Sequence, residues 1–266
     1  MTQRLDAALA ERGLARSRTH AAALVADSAV RVDGEIVTKP STRVGPAADL
    51  RVDAVDDYVS RGAHKLIAAL DAFAVAVDGR TALDMGASTG GFTQVLRERG
   101  AAPVIAVDVG HGQLAASVAS DAEVHPVEGY NVRFMTPESL AEASGVRDAP
   151  SVITGDLSFI SLAHVLPALA PVAAPAADVV LLVKPQFEVG RTGIRGGVVV
   201  DAALRVDAVR TVLAAARAAG LGTLGVRRSP IEGAHGNVEA LVHISPGRGS
   251  DPTEWEDTIA REVGGR

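Results

Sequence analysis

A glycine-rich segment near residue 86 is the first part of the chain that could bind a ligand. Residues 83–92 read LDMGASTGGF, after a short apolar run and before a helical pattern. Glycines let the backbone approach a ligand closely, and the N-terminus of a following helix favours anionic groups. Asp108 lies 22 residues after Gly86, at the end of the next apolar run, where a carboxylate can bind ribose hydroxyls. Turn and acid together predict a nucleoside-cofactor site, with a purely structural turn as the alternative.

The details of this turn favour S-adenosylmethionine over a nicotinamide cofactor. The glycine spacing is not G-x-G-x-x-G, and no Walker A lysine follows it. A carboxylate just before the turn, here Asp84, is more typical of S-adenosylmethionine sites than of NAD sites. The predicted cofactor-binding residues are Asp84, Gly86, Ala87, Ser88, Thr89, Gly90, Gly91, Phe92 and Asp108.

Four charged residues beside apolar runs are candidates for the reaction itself, and each has a structural alternative. Asp156 follows an apolar run but could simply cap the next helix. Lys184 follows five apolar residues, where partial desolvation favours a neutral amine that can act as a base. A lysine that snorkels from a strand end fits that position equally well. Glu239 could solvate an edge strand, and Lys65 could be an ordinary surface lysine of a helix.

The elements that must position these residues alternate in type along the chain. Short apolar runs separated by helical segments predict a wound α/β sheet. The last two runs lie close together and predict an antiparallel pair at one edge. The predicted strands cover 81–86, 103–108, 123–127, 151–155, 178–183, 223–227 and 238–244.

The first 45 residues have a different pattern, which predicts a separate small unit of two helices and a hairpin. The dipeptide Asp33-Gly34 between two alternating runs is a strong hairpin signal. This stretch carries seven basic and five acidic residues, whereas the remainder carries 19 basic and 27 acidic. The asymmetry indicates a polyanionic partner, although ordinary scatter explains it as well. The predicted organisation is a small domain at 1–45, a linker at 46–59 and a large domain at 60–266.

Composition narrows the class of protein. The 266 residues are 47% hydrophobic, which excludes global disorder. The chain has no cysteine, which excludes a disulfide scaffold, a thiolate nucleophile and a cysteine zinc site. His64 has no metal-ligand neighbour at a useful spacing, so no metal site is predicted. No apolar run approaches the ~18 residues of a membrane span, and the N-terminus lacks a secretory signal, so we expect a cytoplasmic protein.

Several long segments resemble a known family. RLDAALAERGLARSR and VRVDGEIVTKP resemble an S4-type RNA-binding module. SRGAHKL, LDMGASTGGFT, VDVGHGQL, GDLSFISL, LVKPQFEVG and GNVEAL resemble successive blocks of an FtsJ-like methyltransferase domain. The whole chain resembles the TlyA family of ribosomal RNA 2′-O-methyltransferases. The resemblance implies a Rossmann-like, S-adenosylmethionine-dependent α/β domain preceded by a small α/β RNA-binding domain.

The same resemblance implies a catalytic tetrad of Lys65, Asp156, Lys184 and Glu239. In this interpretation Lys184, assisted by Asp156, is the base that activates a ribose 2′-hydroxyl. Lys65 and Glu239 would position the ribose. The implied substrate is cytidine in the ribosomal RNA of the 30S or 50S subunit, or of both.

The small domain would then bind ribosomal RNA through its phosphates. The residues expected to do so are Arg4, Arg12, Arg16, Arg18 and Lys39. The acidic stretch Asp57–Ser60 departs from the basic and aromatic linker expected in relatives, which puts linker coupling between the domains in doubt. The resemblance also implies two kinds of relative, of which those that modify both 16S and 23S ribosomal RNA have slightly longer termini than those that modify 23S alone. Only three residues precede Arg4 here, but the segment 251–266 can form a final helix, so we expect activity on both.

Three other functions fit parts of the sequence less well. A hemolysin or pore-forming protein is disfavoured because no membrane span or basic amphipathic helix is present in the sequence. A binding-only assembly factor with a vestigial site is disfavoured because the glycine turn and all four tetrad residues are present. An NAD-dependent oxidoreductase is disfavoured by the glycine spacing.

Overall fold

The computed structural model consists of two compact units, Met1–Tyr58 and Val59–Arg266. The structure describes residues 2–15, 17–26, 29–52, 58–190, 193–233 and 236–265.

The N-terminal unit contains two short helices and small antiparallel sheets. Strand β1 pairs with β4, and β2 pairs with both β3 and β5. Asp33 and Gly34 both have positive φ, 52° and 89°, so they form the tight hairpin turn that the sequence predicts. The elements are β1 Gln3–Arg4, α1 Leu5–Glu11, α2 Arg18–Ala26, β2 Val30–Val32, β3 Glu35–Ile36, β4 Arg43–Val44 and β5 Leu50–Val52.

This unit extends further along the chain than the sequence predicts. Strand β5 pairs along its length with β2, and Leu50 is buried in the same apolar core as Leu5 and Leu9. The predicted boundary at residue 45 would remove that strand from its sheet. The stretch predicted as a linker therefore begins inside the folded unit, and its residues 53–57 lie outside the described part of the chain.

The large unit is built on a seven-stranded sheet with the order β11-β12-β10-β9-β6-β7-β8. Strands β6 to β10 are parallel, whereas β12 is antiparallel to β10 and β11. This confirms the predicted wound sheet and the antiparallel pair at its edge. The strands are β6 Ala82–Met85, β7 Val104–Asp108, β8 Val124–Glu128, β9 Val152–Gly155, β10 Asp178–Val183, β11 Leu221–Arg228 and β12 Ala240–Pro246.

Helices cover the sheet because its central strands are apolar on both faces. Strand β6 is buried at all four positions, and β10 is buried at five of its six. None of the helices in the described residues is long and apolar enough to cross a membrane. The helices are α3 Gly62–Ala72, α4 Gly91–Glu98, α5 Ala116–Ala119, α6 Pro137–Ser144, α7 Leu166–Leu169, α8 Pro185–Glu188, α9 Ala202–Ala218 and α10 Glu256–Val263.

The strand order reverses between β6 and β9, and this reversal positions the candidate site. The chain runs from β6 outward through β7 to β8, then returns to β9 on the other side of β6. Loops that leave β6 and β9 therefore diverge and open a crevice at the carboxyl edge of the sheet. Open α/β sheets place their ligands at such a point.

Candidate active site

The glycine-rich turn leads from β6 into α4 at this crevice. Gly86 and Gly90 have φ of 83° and 97°, a region that side chains rarely adopt. A Cβ on Gly86 would lie 3.0 Å from the carbonyl oxygen of Asp156, and one on Gly90 would lie 2.9 Å from Leu114 Cδ1. The backbone therefore passes close to two neighbouring loops, and glycine is required at both positions.

Asp108 lies at the end of β7 and faces the same turn. Its Oδ2 accepts a hydrogen bond from the Ser88 amide at 2.8 Å, and its Oδ1 accepts one from the Gly110 amide at 2.8 Å. The Gln113 side chain lies 3.4 Å from Oδ1. Backbone amides thus fix the orientation of this carboxylate. The structure brings Asp108 and the turn together, as the spacing of 22 residues predicts.

Asp84 has a different position from the one expected for a cofactor ligand. Its side chain is fully buried beneath the turn and does not line the cavity. Thr93 of α4 donates to Oδ2 at 2.7 Å, and Thr154 of β9 donates to Oδ1 at 3.2 Å. Burial raises the pKa of Asp84 to about 7, although the two threonine hydrogen bonds oppose the shift. Asp84 therefore fastens the start of α4 to two central strands.

A cavity of about 180 Å³ lies between the turn, the start of α3 and the loops that follow β9 and β10. The turn and the two loops meet because β6, β9 and β10 are neighbours in the sheet, and the start of α3 packs against the turn, since a Cβ on Gly91 would lie 3.0 Å from Ser60. The lining residues are Ser60, Gly62, Gly86, Ala87, Ser88, Thr89, Gly91, Phe92, Asp156, Ser158 and Lys184.

Lys184 and Asp156 form an ion pair at one side of this cavity. Lys184 directly follows β10, Asp156 directly follows β9, and their Nζ and Oδ1 atoms lie 2.6 Å apart. The Lys184 ammonium also donates to Ser158 Oγ at 2.8 Å. The two charged side chains are 12% and 23% exposed, so both remain accessible from the cavity. An acid and a hydroxyl thus hold the Lys184 side chain at the edge of the cavity.

Lys65 and Glu239 form a second ion pair, separate from the first. Their Nζ and Oε2 atoms lie 2.6 Å apart, and the side chains are only 7% and 2% exposed. Neither residue lines the cavity. The pair connects Lys65 of α3 with Glu239, the residue that precedes β12. Gly233 packs closely against this carboxylate, because a Cβ on Gly233 would lie 2.0 Å from Glu239 Oε1. The four residues of the expected tetrad are thus two ion pairs, one open to the cavity and one sealed.

Three residues beside the first ion pair are absent from the sequence prediction. Phe159 has a positive φ of 64° and is 91% exposed, and its ring lies 5.2 Å from that of Phe187. Glu188 accepts hydrogen bonds from the loop that carries Asp156. Burial raises the pKa of Glu188, and these hydrogen bonds oppose the shift. The segments GDLSFISL and LVKPQFEVG contain all three, but their spacing alone gives no signal for these contacts.

The basic residues of the N-terminal unit differ in how constrained their charges are. Arg12 donates to the backbone carbonyls of Ala48, Gly45 and Pro46 at 2.7, 3.1 and 3.0 Å, so its guanidinium holds a loop of its own unit. Arg4 pairs with Asp6 at 2.9 Å, and Arg18 approaches the same carboxylate at 3.5 Å.

Two predicted RNA contacts remain, Lys39 and Arg16. Lys39 is exposed. Arg16 lies outside the described residues. Within the residues that the structure describes, no cluster of histidine, aspartate and glutamate side chains could hold a metal ion.

Comparison with family models divides the chain in the same way as its compact units. The FtsJ-like methyltransferase model matches residues 58–245, and the S4 domain model matches residues 3–50. A Mycobacterium tuberculosis protein, 16S/23S rRNA (cytidine-2′-O)-methyltransferase TlyA, is 51% identical over 98% of this chain and 97% of its own length. Hemolysin A of Brachyspira hyodysenteriae is 34% identical over 91% of this chain and 99% of its own length.

Solved structures agree with this assignment of the fold. A candidate hemolysin from Streptococcus thermophilus is 37% identical, covers 98% of this chain and 95% of its own, and superposes with a TM-score of 0.76. An S-adenosylmethionine-dependent methyltransferase from Mesorhizobium loti covers 68% of this chain and 97% of its own at 15% identity, with a TM-score of 0.50. The second likeness concerns the fold alone.

The buried position of Asp84 predicts a pH dependence of stability. Its pKa is 3.8 in ordinary surroundings and about 7 here, so between these values the folded chain binds more protons than the unfolded chain. The contribution of Asp84 to the free energy of unfolding should therefore fall as pH rises through this window, by up to about 1.4 kcal/mol per pH unit. Urea denaturation of wild type and Asp84→Asn from pH 4 to 8 measures how the free energy of unfolding depends on pH.

The Asp84→Asn variant should show a flatter profile than wild type across this window. The matched control is Asp71→Asn, which changes a half-exposed aspartate that pairs with Arg99. A profile of Asp84→Asn that runs parallel to wild type at every pH would contradict the assignment.

Proposed function

The chain belongs to the TlyA family of FtsJ-like methyltransferases, and we propose that it transfers a methyl group from S-adenosylmethionine to a ribose 2′-hydroxyl of ribosomal RNA. The observation that carries this proposal is the Lys184–Asp156 pair, which faces the same cavity as the glycine-rich turn. A base beside the cofactor turn is what methylation of an alcohol requires, because a neutral hydroxyl is a poor nucleophile.

The residues around the turn fit S-adenosylmethionine. Gly86 and Gly90 form a cradle that a Cβ would fill, and Asp108 presents a carboxylate whose orientation is fixed by amides. Residues 86–92 would hold the cofactor beside α4, and Asp108 would accept hydrogen bonds from its ribose hydroxyls. When bound, the cofactor supplies a methyl group on a positively charged sulfur, which is a good leaving group.

Lys184 is the general base of the proposed reaction. After the side chain has released a proton to solvent through the cavity, its neutral amine takes the proton from the ribose 2′-hydroxyl as that oxygen becomes nucleophilic. Asp156 holds Nζ at 2.6 Å and stabilises the ammonium that forms, while Ser158 offers a second acceptor. The protein thus contributes alignment and charge placement, which are the main sources of rate in a reaction with a good leaving group.

The second ion pair has a supporting role in this proposal. The family resemblance implies that Lys65 and Glu239 position the substrate ribose. Both side chains are buried, however, and neither lines the cavity. We infer that they fasten α3 to the sheet. Ser60 and Gly62 at the start of that helix line the cavity, so the pair keeps this wall in place. Removal of one partner would leave a buried charge unpaired, which is strongly destabilising.

The N-terminal S4 domain and the relatives support a proposal for the substrate. The TlyA proteins of Mycobacterium tuberculosis and Campylobacter jejuni are named for cytidine in 16S/23S and in 23S ribosomal RNA, respectively. We propose cytidine as the target here and both 16S and 23S ribosomal RNA as substrates. Arg18 and Lys39 are the basic side chains that support contact with phosphates, because Arg12 is occupied by its own loop.

The position of the transferred methyl group tests this function. Isolated 30S, 50S and 70S particles are incubated with the protein and labelled S-adenosylmethionine, and the RNA is digested to nucleosides for mass spectrometry. We expect label in 2′-O-methylcytidine, with the extra mass on the ribose fragment. Label on a base, or on protein alone, would refute the proposal.

Substitution of Lys184 should separate chemistry from cofactor binding. Lys184→Ala should lower single-turnover methylation by ~10²–10⁴, the usual loss for a general base, while calorimetry shows unchanged cofactor affinity. Lys184→Arg should not restore the rate, because a guanidinium stays protonated and cannot accept the proton. Near-normal turnover by Lys184→Arg would show that the residue is only a positioning cation.

Substitution of two exposed cations of the N-terminal domain should weaken RNA binding without affecting the cofactor. For Arg18→Ala/Lys39→Ala, the slope of log affinity against log salt concentration should decrease by roughly 0.7–0.9 for each phosphate that the variant no longer neutralises. Filter binding at several salt concentrations measures this. The matched control, Arg210→Ala/Arg261→Ala, removes two cations of the large unit. Equal slopes for both variants would show that the effect is one of net charge only.

A further inference from the structure

Two segments of the active site contact each other at several points. The Asp156 loop (residues 156–161) follows β9, and the Lys184 segment (residues 184–188) follows β10. Beyond the Lys184–Asp156 ion pair, Ser158 accepts a hydrogen bond from Lys184, and the rings of Phe159 and Phe187 lie 5.2 Å apart. The geometry of the base therefore depends on how the loop is held against the segment.

Glu188 makes the last of these contacts and uses both of its oxygens. Ser161 Oγ donates to Oε2 at 2.5 Å, and the Leu162 amide donates to Oε1 at 2.9 Å. Ser161 is also the N-cap of the short helical turn Leu162–His164, since its Oγ accepts from the Ala163 amide at 3.2 Å. Glu188 thus holds the end of the Asp156 loop that is farthest from β9.

The Asp156 loop is also held by Leu157 and Ile160, which pack against the core of the large unit. At its other end the Asp156 amide donates to the Met85 carbonyl at 3.1 Å. Between Leu157 and Ile160, Ser158 and Phe159 are exposed, and Phe159 has a positive φ, which is a strained conformation for a residue with a side chain. A strained, exposed loop keeps one conformation only if its surroundings impose it. Glu188 is a carboxylate with two hydrogen bonds that can do so.

The ion pair cannot supply this constraint throughout the reaction. Lys184 must be neutral when it accepts the hydroxyl proton, and at that moment its attraction to Asp156 is weakest. The hydrogen bonds of Glu188 do not depend on the charge of the lysine. They keep the loop in place at the stage when the Lys184–Asp156 contact is least able to.

We propose that Glu188 is a positioning residue of the methyl transfer, which ties the Asp156 loop to the Lys184 segment through Ser161 and Leu162. The inference rests on the proposed function, because it concerns the same base. Glu188 would thus be a further residue of the active site, one that contacts neither cofactor nor RNA and acts only through the Asp156 loop. Removal of the tie should therefore lower the rate of the chemical step and leave substrate binding nearly unchanged.

Glu188→Ala, Glu188→Gln and Ser161→Ala are the variants that test this. Glu188→Ala should lower single-turnover methylation by ~10–100-fold, the order of loss that a displacement of about 1 Å causes, with unchanged cofactor and RNA affinity. Glu188→Gln should restore most of the rate, since its amide can accept from Leu162 and donate to Ser161. Ser161→Ala should cost less in the Glu188→Ala background than in wild type, because the hydrogen bond between the two side chains is already lost and only the cap on the Ala163 amide remains to be removed.

Hydrogen exchange of the loop amides provides a readout that does not need activity. The Leu162 amide should exchange faster in Glu188→Ala and at the wild-type rate in Glu188→Gln and in Glu142→Ala, which changes an exposed glutamate of α6. If the Leu162 amide exchanges faster in Glu188→Ala but wild type shows no methylation, the proposed function is refuted. The hydrogen bonds of Glu188 to the Asp156 loop would then still be supported as a structural contact. Unchanged exchange and rate in Glu188→Ala, or a Glu188→Gln as slow as Glu188→Ala, would overturn the inference.

Discussion

The contact between Lys184 and Asp156 is the interaction that the rest of the active site depends on. It exists because β9 and β10 are parallel neighbours, so that the residue after each strand emerges at the same edge of the sheet. The lysine is held by an acid and a serine hydroxyl, yet it remains open to the cavity. A general base, the role that we propose for Lys184, must be both fixed and accessible, and a strand end at a crevice provides both conditions. The apolar interior of β10 supplies the rigid support.

The cofactor side of the cavity depends on the same reversal of strand order. Strand β6 lies between β9 and β7, so its glycine turn contacts the backbone of Asp156 on one side and the carboxylate of Asp108, through Ser88, on the other. Asp84 fastens this turn from below through Thr93 and Thr154. The buried Lys65–Glu239 pair fastens the α3 wall in a similar way. Two sets of buried polar contacts thus fix the position of the glycine-rich turn and of the α3 wall beside it.

The sequence predicts the parts of this arrangement that local spacing encodes, and it fails where distant segments meet. The wound sheet, the hairpin at Asp33-Gly34 and the approach of Asp108 to the turn follow from periodicity and spacing. The pairing of β5 with β2 does not, because no short turn connects these strands and no spacing rule of a known motif relates them. For the same reason the sequence could not show that Arg12 binds carbonyls of its own unit or that Glu188 holds a neighbouring loop. Burial also distinguishes two lysines that both lie within family motifs: Lys184 lines the cavity, whereas Lys65 is buried against Glu239.

A double-mutant cycle on the base and its acid tests this account most directly. Single-turnover methylation of ribosomal particles is measured for wild type, Asp156→Asn, Lys184→Ala and the double variant. If Asp156 acts by holding Lys184, its substitution should slow wild type strongly but should cost nothing further once Lys184 has been removed. The double variant should then be as slow as Lys184→Ala alone. Losses that multiply in the double variant would show that the two residues act independently, and the ion pair would not be the basis of the site.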